Sequence, residues 1–564
     1  MARYDDLTKE ELIRLLEARE QRTRFGLVWE ANEIERDKAL NSDFVALDLV
    51  PELSCGPAPW RNLIVEGDNF DGLRYLKMCF AGKVKCISID PPYNTGNRDF
   101  VYNDRFVDRE DSWRHSMWCE FMFQRLMLAR DLLREDGAIF VSIDDNEVFS
   151  LGLLMNRVFG EGNFVATLIW HKRVSPANDA KYFSTDHDYI LCYARNKDAW
   201  KPQRQPLNVE QLKNYSNPDN DERGSWNSSA YTCAKTADER PNLYYAITQP
   251  TTGEQILPSR SRVWAYDAAT HARHVAEDRI YWGKEGLSKF PRLKKFLSDA
   301  KPVVPRSIWS FDEAGHNSEA NLELRALVTD AHFSNPKPSR LIEKILRIST
   351  GPNDLVLDFF AGSGTTAHAV HKANAEDGGK RRCILVSNAE ATSDAADKNL
   401  CRDVCATRVR RVIEGYTPPG GETVPGLGGD FAYLRTRRIA PGRLLEIEHP
   451  QVWTALQLMH FDTLTPWPES GTGFQPVDEN DDRLKACPTF LWAGDEDSAV
   501  CYVPRFRRED APALREAVKR SASVALYSWQ PQALRQHVRA GQVTHLPIPE
   551  TLARRFGLHH GAKP

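Results

Sequence analysis

No run of apolar residues in the 564-residue sequence approaches the roughly 20 needed to cross a bilayer as a helix, so we expect no membrane partner. The 11 cysteines include no CxxC pair and no Cys/His spacing of the zinc-finger type, which predicts reduced, mostly buried thiols and no metal site. Neither sign of charge dominates. With 74 Lys plus Arg against 78 Asp plus Glu, the net charge of −4 excludes a surface coated for nonspecific polyanion binding. No internal repeat is found. The opening segment MARYDDLTKEELIRLLEARE is charged and amphipathic rather than a signal peptide, which predicts a cytoplasmic location.

What is present is an alternation of strands and helices long enough for two to four domains. Residues 1–50 read as a helical N-terminal arm: Thr8 and Glu11 fit a capping box, and Leu12, Leu15 and Leu16 recur at helical spacing. Between 51 and 200, strands at Leu63 to Val65, Val84 to Ile89 and Ala138 to Ile143 are separated by amphipathic helices, the pattern of a parallel α/β sheet. Residues 201–305, with edges as wide as 171–310, lose this periodicity and read as an irregular insertion. Residues 171–310 hold 22 Lys plus Arg against 16 Asp plus Glu, a basic surplus inside a mildly acidic chain. The α/β pattern returns over 306–416. A Pro/Gly linker at 417–430 then precedes an expected small α/β domain at 431–564.

Two stretches carry chemistry. LVLDFFAGSGTT puts Asp358 at a strand end, Gly362 and Gly364 in a tight turn, and a helix start at Thr365 or Thr366. Glycines let backbone approach a ligand, and a helix N-terminus offers free N–H groups, so a nucleotide-like ligand is implied, although such a turn also serves simply to reverse a chain. Glu390, beyond the next strand, has the place of an acid that binds ribose hydroxyls. CISIDPPYNTG ends a buried strand with Asp90, then removes two backbone donors at Pro91 and Pro92 and presents Tyr93. One carboxylate plus one carbonyl suits an exocyclic amine with two N–H donors, and the ring offers a face for the base that carries it. A proline-terminated strand with a turn-stabilising aspartate is the structural alternative.

Taken together, DPPYNTG at 90–96 and DFFAGSGTT at 358–366 resemble the catalytic and cofactor motifs of the amino-group DNA methyltransferases that use S-adenosylmethionine. The catalytic motif comes first, as in the circularly permuted beta class. VEGDNFDGLRYL, LLREDGAIFVSIDDNE, HDYILCYAR and NPKPSRLIEKIL extend the likeness over about residues 60–415, and WSFDEAGHNSEANLEL resembles the modification subunits of type III restriction systems. The family's glycine motif begins D-P-F, where this chain has Phe359.

The resemblance implies a Rossmann-like methyltransferase sheet, mostly parallel and circularly permuted, split into a catalytic half at 51–200 and a cofactor half at 306–416 by a target-recognition insertion. It implies methyl transfer from S-adenosylmethionine to the N6 amine of a flipped-out adenine, with no covalent intermediate. The chain has no Pro-Cys pair for the cytosine carbon-5 route. Asp90, Pro91, Pro92 and Tyr93 are the implied catalytic residues. Asp68, Asn69, Lys337, Asp358, Phe360, Gly362, Gly364, Thr365 and Glu390 are the implied cofactor residues. Implied partners are double-stranded DNA, a second copy joined through the helical arm, and a restriction or helicase subunit in a phage-defence system. For DNA contact the insertion offers its basic surplus with Trp226, Tyr231, Tyr244, Tyr245, Trp264, Tyr281 and Trp282, although each aromatic taken singly reads as insertion core. The cytosine N4 amine as target, a catalytically silent DNA-recognition subunit, and protein glutamine methylation stay as alternatives.

Overall fold

Phe44 to Leu47, four consecutive buried residues near the start of the chain, lie at one edge of a ten-stranded sheet, beside a strand contributed nearly 400 residues later. The computed structural model describes residues 43–96, 101–102, 105–106, 114–178, 180–329, 333, 335–390, 397–468 and 490–557. Its large sheet contains β1 (Phe44–Leu49), β2 (Leu63–Glu66), β3 (Val84–Ile89), β4 (Leu133–Ile143), β5 (Phe164–His171), β6 (His187–Ala194), β7 (Ile308–Trp309), β8 (Leu355–Asp358), β9 (Arg382–Ser387) and β10 (Ala432–Ile439). The spatial order is β1-β10-β2-β9-β8-β3-β4-β6-β5-β7. From β10 to β4 every pairing is parallel, whereas β1 and β6 run antiparallel to their neighbours. The expected mostly parallel, Rossmann-like α/β sheet is the observed fold.

Helices cover both faces. They are α1 (Asn69–Phe80), α2 (Arg114–Leu132), α3 (Val148–Phe159), α4 (Asn317–Leu327), α5 (Ser339–Ser349), α6 (Thr365–Asp377), α7 (Thr407–Glu414) and α8 (His449–His460). Each buries one stripe, as amphipathic spacing requires: α5 inserts Leu341, Ile342, Ile345 and Leu346 into the apolar cluster on one face of the sheet. On the other face α1, α2, α3 and α8 supply Leu73, Leu76, Met122, Leu126, Leu154 and Leu456 to a second cluster. Among the described residues no helix is long and apolar enough to cross a membrane, and none of the ten described cysteines is paired.

Three expected boundaries need correction. The helical arm at 1–50 falls mostly outside the described residues, but Phe44–Leu49 is a strand, because its apolar run is buried against β10. The segment from 431 is not wholly a separate domain. Its first strand, β10, lies between β1 and β2 with Tyr433 and Leu434 fully buried, and α8 packs into the cluster shared with α1. Among the described residues of this segment, the four-stranded sheet Leu491–Gly494, Ser498–Val503, Ser523–Ser528 and Val543–Pro547 is separate from the main sheet in its pairing, yet Val500, Tyr502 and Tyr527 join the same apolar cluster. The linker at 417–430 includes part of a short hairpin, Gly415–Tyr416 with Val424–Pro425, and ends tied down, since Asp430 accepts from the backbone N–H of Arg61 at 2.5 Å.

Pro202–Pro305 forms its own compact unit. Within it Trp226–Ala230, Arg292–Phe296 and Ile280–Tyr281 make an antiparallel sheet around Tyr231, Trp264, Trp282 and Leu293. Trp226, Tyr231, Trp264 and Trp282 are therefore core and unavailable for stacking on bases. A cleft of about 590 Å³ in this unit is lined by Arg273, Arg279, Lys294, Lys295 and Lys301, with Glu277 and Asp299.

Candidate active site

Consecutive strands β2 and β3 do not pair. Their neighbours β9 and β8 come in between, so the carboxyl ends of β2, β9, β8, β3 and β4 share one edge. That edge carries, in spatial order, Asp68, Glu390, Asp358, Asp90 and Asp144. Open α/β sheets bind ligands at such an edge. Asp90 and Asp358, 268 positions apart in sequence, end neighbouring strands whose register pairs Leu357 with Ile87.

Asp90 faces an unexpected partner. The Lys337 ammonium lies 2.8 Å from each of its carboxylate oxygens and donates to the Tyr93 hydroxyl at 2.9 Å. It also stands 5.0 Å from the centroid of the Tyr93 ring and 5.8 Å from that of Trp170. The Tyr93 hydroxyl in turn donates to Asp188 at 3.3 Å, and Asp188 accepts from Lys172 at 2.6 Å. Burial, then the charges of Asp90 and Asp188, push the Tyr93 phenol well above its ordinary range, so it remains a donor. The main chain beyond is pinned from both sides. The indole N–H of Trp118 donates to the carbonyl of Pro92 at 2.8 Å, and buried Asn94, at φ 57°, donates to Glu147 at 2.5 Å. Asparagine tolerates this left-handed backbone better than most residues.

The glycine turn is shaped from within. Asp358 accepts from the N–H of Phe360 at 3.0 Å and the hydroxyl of Thr366 at 2.5 Å, so both oxygens serve the turn itself. Burial, with the nearby charge of Asp90 adding to it, lifts its carboxyl to about 7. Gly362 (φ 49°) and Gly364 (φ 79°) adopt left-handed backbone, and a Cβ on Gly362 would meet the Phe333 ring at 2.9 Å. Phe359, where the family has proline, is fully buried, and Phe360 packs on it and on Phe121. Thr365 opens α6 and donates to the carbonyl of Lys337 at 3.3 Å.

Behind the turn, the fully buried Arg408 donates to Ser363 (3.1 Å), Thr365 (2.8 Å) and Glu323 (2.9 Å). Glu323 also accepts from the hydroxyl of Ser339 at 2.5 Å. Burial, then Arg408 and Lys372, hold His368 well below its usual range and keep it neutral.

The remaining expected residues divide by what they touch. Asp68 caps α1 through the N–H of Phe70 (2.8 Å) and leaves a half-exposed carboxylate 3.5 Å from Arg125. Asn69 spends both ends of its amide on structure, donating to the carbonyl of Phe359 and accepting from Arg125. Glu390, at φ 49°, pairs with Lys398 at 3.1 Å. Lys337 was expected at the cofactor and instead has its ammonium in the Asp90–Tyr93 clamp. Sequence reasoning passed over Trp118, Arg125, Asp188, Lys172, Glu323 and Arg408. Asp188 and Lys172 had a signal, as charged residues at the ends of otherwise apolar strands. Arg408 had none, being one of several arginines on a helix.

A family model described as DNA methylase matches residues 84–387, more than half of the chain and both motifs. The chain belongs to the DNA methylase family. It is 36% identical over 380 residues to the Mod subunit of the StyLTI type III restriction-modification enzyme of Salmonella typhimurium, covering 62% of this chain and 57% of that one. It is 33% identical to the EcoPI Mod subunit of Escherichia phage P1, covering 58% of each chain. It is 30% identical to the type II methyltransferase M.KpnI of Klebsiella pneumoniae, covering 64% of this chain and 88% of that one. The chain thus spans under two thirds of the two Mod subunits. The DNA methylase match spans both Asp90 and Asp358.

Proposed function

We propose that the chain is a site-specific DNA methyltransferase that moves a methyl group from S-adenosylmethionine to the N6 amine of adenine. The observation that carries this reading is the acceptor-lined clamp of Asp90 and Tyr93 on the strand beside the glycine turn. The groups around the turn fit the cofactor: two exposed carboxylates, Asp68 and Glu390, follow the two strands on one side of backbone that is too close-packed for side chains at Gly362. Asp68 and Glu390 would hold the nucleoside, and Thr365 and the turn backbone the amino-acid end. When bound, the cofactor supplies an electrophilic methyl group.

The chain's own residues do the rest. The adenine amine is a weak nucleophile because its lone pair is delocalised into the ring. Asp90 and the Pro91 carbonyl, by accepting its two hydrogens, favour a pyramidal nitrogen with the lone pair turned outward, and Pro92, held by Trp118, stiffens the segment. Reaching the amine requires the base to leave the duplex at a cost of a few kcal/mol, which stacking on Tyr93 offsets in part. In this reading the insertion recognises duplex DNA through its basic cleft, the segment before residue 43 joins a second copy, and a restriction subunit completes a defence system in the cytoplasm.

The test is direct. Expression of the chain followed by modification-sensitive sequencing of host DNA should show N6-methyladenine at one recurrent sequence, and Asp90→Ala should lower it by about 10²-fold or more. Unmodified DNA from folded wild-type protein, or methyl groups on cytosine, would overturn the reading.

A further inference from the structure

The clamp is filled by the protein itself. An ammonium has three N–H donors and no acceptor, and those of Lys337 find three acceptors: both oxygens of Asp90 at 2.8 Å and the Tyr93 hydroxyl at 2.9 Å. These include the carboxylate assigned above to an incoming amine, and the cation stands at the hydroxyl edge of the Tyr93 ring, 5.0 Å from its centroid. The Lys337 side chain is 10% exposed and that of Asp90 34%, so the open approach to the pair lies on the carboxylate side. The other end of Lys337 is fastened to the glycine turn through its carbonyl and Thr365.

We propose that the Lys337 ammonium is a built-in stand-in for the substrate's amine, which occupies the acceptors of Asp90 and Tyr93 and is displaced when an exocyclic amine enters. The inference rests on the proposed function and deepens it. Two hydrogen bonds from the ammonium occupy both oxygens of the Asp90 carboxylate, so an entering amine must displace them. The arrangement also sets selectivity. An amine gains at Asp90 only the difference between its own hydrogen bonds and those of the ammonium it replaces, so stacking on Tyr93 must complete the exchange. A base without a ring of the right size, or without an amine, leaves Lys337 where it is. Lys337 thus acts through Asp90, as the competitor an amine must displace.

The test compares two duplexes carrying the methylated sequence found in the host-DNA experiment. One has adenine and the other purine, which lacks the amine, at the target position, each opposite an abasic spacer. Dissociation constants are measured by fluorescence anisotropy without cofactor at pH 8, with cofactor affinity measured by calorimetry in parallel. Both duplexes have the same phosphates, so the ratio of the purine to the adenine constant isolates the amine. Lys337→Met should raise that ratio by roughly tenfold over wild type, and Lys337→Gln should raise it less, with cofactor affinity unchanged. Adding Asp90→Ala to Lys337→Met should abolish the gain. An unchanged or smaller ratio in folded Lys337→Met would overturn the proposal. A loss of cofactor affinity with an unchanged ratio would assign Lys337 to the cofactor instead. Failure of the functional reading has a different signature, since it leaves host DNA unmodified by the wild type.

Discussion

Asp358 shows how one buried carboxyl can shape a glycine turn from within. Its oxygens accept from Phe360 and Thr366, and burial lifts its carboxyl from the ordinary 3.8 to about 7. The folded chain therefore keeps a proton that the unfolded chain releases above about pH 4, so it binds more protons over that interval and loses stability as pH rises from about 4 to about 7. The loss is on the order of 4 kcal/mol. Asp358→Asn removes the titration, and urea unfolding should show its stability relative to wild type improving steadily across this window. A constant difference from pH 4 to 7.5 would contradict the assignment. Gly67, at φ 152°, illustrates a tighter demand, because an added Cβ would lie 1.9 Å from the Thr436 hydroxyl on β10.

Elements meet behind the glycine turn through one cation. Arg408 on α7 binds the turn and Glu323 on α4, and Glu323 reaches Ser339 at the start of α5. Removing one partner leaves the other charge buried without compensation. Arg408→Met should cost about 3–5 kcal/mol, and pairing it with Glu323→Met should recover most of that. Chemical denaturation of the single and double variants checks this, and additive losses would remove the coupling. The same cluster marks where the sequence was legible and where it was not. Strands β2, β3, β8 and β9 and helices α1 and α5 were readable because apolar spacing reports burial directly. Asp90, Tyr93 and the glycine turn were readable because their residue types have few other uses at strand ends. Arg408 was not singled out and Lys337 was expected at the cofactor, because a long basic side chain in sequence says nothing of which carboxylate it reaches. The position of β10 was missed for a related reason: its apolar half, FAYL, specifies a strand but not the neighbour with which it pairs.

The whole molecule separates into a large unit and an insertion, Pro202–Pro305, with its own aromatic core. The insertion's root is narrow, since Gln205 and Val303 pair as antiparallel neighbours, so a short Gly/Ser bridge can replace it. The excised chain should unfold cooperatively and bind S-adenosylmethionine as the full chain does, while its affinity for duplex DNA falls at least tenfold; retained duplex affinity would place recognition elsewhere. The interleaving of β2 and β3 with β9 and β8 has a further consequence, in time. A ribosome adding roughly 5–20 residues per second takes about 15–60 s to cover the distance from the end of β3 to the end of β9. Until then β2 lacks β9, and for most of that time β3 lacks β8; β10 follows later still. A nascent chain thus carries unpaired apolar strand edges, the usual templates for aggregation, through much of its own synthesis. The arrangement that brings two distant motifs to one sheet edge makes the growing chain dependent on shelter while it is being made.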